Sequence, residues 1–168
     1  MKAIDLIRGS LQMSGQFTER LAADLRDKPM TRATPGAKGG DGGHAIWLLG
    51  HLTFIEAGLR RIVRGDPHPL EHWASLFAMG TEPSNDPAKY PPFDDILGKY
   101  RELRAANLKL LDEMGEAALD QAPAWVPPGF EDAMKTIGNT FLLIALHNMQ
   151  HCGQIADVRR VAGLKRFF

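Results

Sequence analysis

One cysteine, Cys152, is all the thiol chemistry this chain has. A lone thiol cannot close an intramolecular disulfide, so the fold must rest on its core, and a reducing, cytoplasmic compartment is expected. Net charge is missing too: 20 basic and 20 acidic residues cancel, and they form no stripe of one sign. Without a basic stripe, neither nucleic acid nor an anionic membrane is expected as a partner. Long apolar runs are absent as well. No stretch reaches the roughly 20 residues of a membrane span. The opening MKAIDLIRGSLQM puts Asp5 and Arg8 where a secretory signal needs an unbroken apolar segment, so none is expected. No internal repeat stands out, and no run alternates convincingly in the way a half-buried strand does.

What remains is helical periodicity. With 44% apolar and 24% charged residues over 168 positions, one globular domain spanning 1–168 is expected. Ile4 to about Arg26 has Ile4, Ile7, Leu11, Leu21 and Leu25 at helical spacing, with Ser14 and Thr18 in the same stripe. Those two hydroxyls read as filler against a bulky neighbour rather than as pocket lining. Lys28 to Gly43 is broken by prolines and glycines and reads as a flexible connector. It lacks both the phosphate-loop order and a preceding strand. His44 to Arg64 is a second helix, with Leu48, Leu52, Ile55, Leu59 and Ile62 inward. Gly65 to Pro92 is long and rich in proline. Asp66-Pro67 looks like a helix start, so one short helix to about Ala78 is expected, and Trp73, Phe77 and Tyr90 suggest a roof over a pocket. Phe93 to Met114 is a third long helix, in which Asn107 falls on the inward face and needs a partner. Gly115 to Asp132 is another connector, and Met134 to Arg166 the last helix. The fold class is all-α: a four-helix bundle with long crossover loops and one short extra helix.

The last helix carries the chemistry. His147 and His151 stand at i and i+4, one turn apart on one face, a spacing that lets two imidazoles grip one ion from a rigid backbone. A third ligand is needed. His51 lies mid-helix on the inward stripe of the second helix and is the natural candidate. His44 is about 10 Å further along that axis, too far to share the ion. His68 and His72 form a rival i, i+4 pair, but prolines flank it and no third ligand is evident.

Two segments, Trp47-Leu48-Leu49-Gly50-His51-Leu52 and Leu146-His147-Asn148-Met149-Gln150-His151-Cys152-Gly153-Gln154-Ile155, resemble the DinB-like (YfiT-like) metal-dependent four-helix-bundle proteins. Weaker echoes run from Trp73 to Gly80 and through Tyr90-Pro91-Pro92. The resemblance implies an up-up-down-down bundle, a homodimer, and a divalent metal held by His51, His147 and His151. It also implies, for some members, transfer of a low-molecular-weight thiol such as bacillithiol or mycothiol to a small-molecule substrate. Imidazole ligands suit zinc, nickel, copper and iron, with zinc or nickel the expectation here. Cys152 projects about 100° round the helix from His151 and is not counted as a ligand. No general base is evident on the stripes facing the site, which favours thiol transfer over hydrolysis; a non-catalytic metal- or ligand-binding bundle is the alternative. Leu6, Met13, Phe17, Phe54 and Leu142, off the inward stripes, are the residues expected at a dimer interface.

Overall fold

The computed structural model describes residues 2–33 and 42–166; the glycine-rich part of the first connector, 34–41, lies outside the described residues. Four long helices, α1 (Ala3–Ala23), α2 (Ala45–Arg64), α4 (Phe93–Met114) and α5 (Ile137–Val161), surround the core, and a single-turn helix α3 (Ala74–Phe77) lies between α2 and α4. Among the described residues there is no strand, only an isolated antiparallel bridge between Arg32 and His44.

The ends are set by local chemistry. His44 caps α2: its Nδ1 accepts the Trp47 N–H at 3.1 Å. Gly65 closes the same helix in the left-handed conformation, φ 77°, which a side chain would strain. α5 starts at Ile137, later than the periodicity suggests, because Thr136 Oγ1 accepts the Asn139 N–H at 3.1 Å. The short helix expected from Asp66 onward is instead a 3₁₀ turn, Glu71–Trp73, running into α3. Asp66 is no cap, because Arg60 Nε donates to its carboxylate at 3.0 Å.

Ion pairs fix the sense of each helix. Arg26 beyond the end of α1 meets Asp94 at the start of α4 at 2.6 Å, so these two run antiparallel. Arg64 and Glu113, near the C-terminal ends of α2 and α4, lie 3.3 Å apart, so these two run parallel. Arg159 late in α5 meets Asp24 just past α1 at 2.6 Å, so α1 and α5 are parallel. The order is therefore up, down, down, up, and the up-up-down-down order implied by the resemblance does not hold. Connector length gave no warning, since all three connectors are long enough for either sense. Residues 65–92 are the segment that climbs the bundle, whose height along the 20-residue α2 is about 30 Å. α1 packs against α5 and α4, α2 against α4 and α5, and the pair α1 and α2 sits on a diagonal.

The core has two apolar halves with a polar layer between them. One half gathers Leu21, Leu25, Leu48, Leu52, Phe77, Ile96, Tyr100 and Ile155. The other gathers Ile4, Leu11, Leu59, Leu110, Phe141 and Ile144. Between them Glu56, fully buried, accepts from Arg104 at 2.5 Å, from Asn107 Nδ2 at 2.8 Å and from Asn148 Nδ2 at 3.0 Å. Tyr100 OH donates to Asn148 Oδ1 at 2.6 Å. Burial pushes the Glu56 carboxyl above the usual carboxylate range, while Arg104 opposes that shift. Asn107 thus finds the partner its position demanded. Ser14 donates to Leu11 O and Thr18 to Ser14 O within their own helix, and Thr18 Oγ1 also lies 3.4 Å from Asn148 Oδ1 and 3.3 Å from Cys152 Sγ on α5.

Candidate metal centre

α2 and α5 run antiparallel as neighbours, which brings the middle of each to one height. Their three central histidines converge there. His147 Nε2 lies 3.3 Å from His51 Nε2 and 3.1 Å from His151 Nε2. One ligand atom from each of the three falls within 4.8 Å of the others. An ion bound tetrahedrally at 2.0–2.1 Å places neighbouring donor nitrogens about 3.3 Å apart, so two of the three edges already fit.

The second ring nitrogens decide which atoms are free to bind. His51 Nδ1 donates to Phe77 O at 2.7 Å, which leaves its Nε2 lone pair facing the cluster. His151 Nδ1 donates to Gln154 Oε1 at 2.5 Å, with the same result. Two lone pairs therefore point at His147 Nε2. A single N–H on that atom can satisfy only one of them, whereas a cation satisfies all three nitrogens. His147 Nδ1 is buried and has no hydrogen-bond partner. The Trp47 ring lies over His51, stacked at 5.2 Å and 5°.

Electrostatics keep the cluster neutral. Burial, then the nearby His151 and His51, lowers the His147 pKa to about 3. Burial lowers His51 and His151 as well. All three imidazoles are unprotonated at neutral pH, the form that ligates a metal.

A family model of the DinB superfamily matches residues 10–155. The chain belongs to the DinB superfamily. No curated protein matches it.

The long connector of this DinB chain reaches the site through its backbone. Gly50 makes the approach possible: a Cβ there would sit 2.1 Å from the Phe77 ring, so only glycine lets α3 close onto α2. Trp73 and Tyr90 back Phe77 at 5.5 and 5.6 Å between ring centroids. The expected roof is there, with Phe77 as its contact to the histidines. A cavity of about 560 Å³ opens beside His51 and His147. Its walls come from α2, from α5 and from the second and third connectors, including Ala74, Ala78 and Met79 from the second and Trp125, Phe130 and Met134 from the third. The third connector's part in this wall went unread in the sequence. Phe54, expected at an outer surface, lines the cavity with its ring 4.3 Å from His68, and Phe17 packs on the core.

The rival pair does not assemble. His68 spends both ring nitrogens, Nε2 donating to Phe54 O at 3.1 Å and Nδ1 accepting the Leu70 N–H at 3.2 Å. His72 is exposed. Cys152 turns to the core side, its Sγ 3.3 Å from Thr18 Oγ1, and burial raises its pKa. Glu56 and Arg104 were also missed. Both sit on inward stripes, Glu56 between Leu52 and Leu59 and Arg104 between Tyr100 and Asn107, and that placement was the available signal.

Proposed function

We propose that His51, His147 and His151 hold a zinc or nickel ion, and that the adjoining cavity presents a small electrophilic substrate for attack by a low-molecular-weight thiol. The observation that carries this reading is the convergence of three neutral imidazole Nε2 atoms, two of them on rings whose outer nitrogen is fixed, His51 by a backbone carbonyl and His151 by a side-chain amide. A divalent ion held there supplies a Lewis acid that lowers the pKa of a bound thiol and polarises an electrophile. The chain supplies the rest. Phe77 O and Gln154 hold the His51 and His151 rings in register, and Trp47 covers one face of His51.

No carboxylate hydrogen-bonds to the three histidines among the described residues. The nearest buried one, Glu56, is committed to Arg104 and two asparagines. Thiol attack needs no separate base and suits such a site better than hydrolysis. The same observation favours, as second reading, a bundle that binds metal or ligand without turnover.

The test uses untagged protein, analysed for metal as purified and then assayed for conjugation of a bacterial thiol with an aryl halide. Turnover that disappears in His147→Ala supports the enzyme. Stoichiometric metal without turnover of any thiol selects the second reading. A homodimer belongs to the same proposal. Leu6 and Met13 on α1 and Leu142 and Met149 on the neighbouring α5 are exposed, and together they offer an apolar face to a second copy. The single buried thiol is the basis for placing the protein in the cytoplasm. No helix among the described residues is long and apolar enough to cross a membrane.

A further inference from the structure

The cavity beside the histidines has a shape and a lining that restrict its occupant. α2 contributes Phe54, Ile55, Gly58 and Ile62 along one face, and α5 contributes Leu143 and Ile144. From His51 to Ile62 this face runs about 16 Å at the helical rise. Its volume falls within the usual range for small-molecule sites. Beside the histidines its polar side chains are few: Arg61, His68, Glu71 and Gln150, of which Glu71 and Gln150 are exposed. Arg61 lies 3.4 Å from Glu71 and stacks over the Trp125 ring at 4.8 Å. His68 has used both ring nitrogens. A sugar, nucleotide or peptide lodged along the cavity would bury donors and acceptors without partners, each costing on the order of ten- to a hundredfold in affinity. The remaining polar groups on the lining are His51 and His147 of the histidine cluster. On the roof Ala74 and Ala78 are small, so space is left rather than filled.

We propose that the cavity takes an uncharged, elongated apolar molecule, alkyl or aryl, with a single polar head turned to the histidines. The apolar part of this proposal stands on the cavity alone; the orientation of the head rests on the metal reading above.

The test is a pair of titrations followed by calorimetry. n-Alkyl hydroxamates from butyl to dodecyl go into zinc-loaded protein, and the matching n-alcohols into metal-stripped protein. Each added methylene is expected to tighten binding about fourfold in both series, until the chain exceeds the length of the cavity. Ala74→Leu and, separately, Ala78→Leu fill space from the roof and should move that break to shorter chains, with native circular dichroism retained. Affinity independent of chain length in both series overturns the proposal, and so does a break point that neither variant moves. A normal slope with the alcohols, but no gain for hydroxamates from zinc, overturns the metal reading and leaves the apolar cavity established.

Discussion

Replacing Arg104 by methionine isolates the charge at the centre of the bundle. Arg104 is 4% exposed and Glu56 0%, and their side chains meet at 2.5 Å, so removing the guanidinium strands a carboxylate with no counter-charge. Losing one partner of a buried pair costs about 3–5 kcal/mol, a fifth or more of a typical small-domain stability of about 5–15 kcal/mol. The cost must depend on pH. Burial already raises the Glu56 pKa, and Arg104 is the main influence holding it down. In Arg104→Met the folded state therefore keeps a proton on Glu56 well above the unfolded value of 4.5. A folded pKa above the unfolded one means stability that is full at low pH and declines as pH rises from that value through the folded pKa. Urea unfolding followed by circular dichroism should show a penalty of about 3–5 kcal/mol at pH 7 and roughly 1–2 kcal/mol at pH 5, where mainly lost packing remains. Adding Glu56→Leu should recover much of the loss, because Asn107 and Asn148 each keep a backbone acceptor, Glu56 O and Ile144 O. A penalty below about 1 kcal/mol, an equal penalty at both pH values, or a double variant less stable than the single one would refute the desolvated pair.

His147→Ala should abolish most zinc binding in calorimetric titration while His72→Ala leaves it unchanged; the reverse pattern would move the site to the connector. Metal-free protein should lose stability as pH falls from about 6.5 toward 3, because the unfolded state takes up protons that His147, with its pKa lowered to about 3, resists. At about 1.4 kcal/mol per pH unit that interval has a ceiling near 4–5 kcal/mol, and partial solvent contact of the ring brings it to about 3 kcal/mol. The readout is the difference between wild type and His147→Leu, and a difference that does not change between pH 7 and 4 contradicts the assignment. Gly50→Ala should cost roughly 1–3 kcal/mol in thermal unfolding and weaken metal affinity about tenfold, since the new methyl drives Phe77 and its carbonyl off His51; unchanged zinc affinity would show that the carbonyl does not position the ligand.

The histidine cluster was legible because side-chain identity and helical spacing carry it. The boundaries of α4, Phe93–Met114, could be read directly, since proline precedes it and glycine follows. Other features had no such signature. The contact that fixes His51 comes from a carbonyl of Phe77, and a backbone atom leaves no mark on residue type. The sense of α2 against α1 depends on which connector climbs the bundle, and all are long enough to do so. Glu56 and Arg104 were passed over because charged residues are usually solvated, although their stripes pointed inward. Trp125 and Phe130 belong to a connector without periodicity, so nothing local tied them to a cavity wall.

The parallel pairing of α1 with α5 has a consequence for how the chain assembles. It is the most extensive helix pair, and its contacts reach far along the sequence: Arg159 Nη1 donates to Leu21 O across 138 positions. During synthesis at about 5–20 residues per second, α1 emerges early and waits roughly 6–25 seconds for that partner. Through that wait Ile4, Ile7 and Leu11 lack the cover that Ile137, Phe141 and Ile144 later provide. α5 acts as the closing stave. Its arrival seals both apolar halves, and in the same movement it delivers two of the three histidines to His51. The three-histidine cluster therefore exists only in a bundle whose assembly is complete.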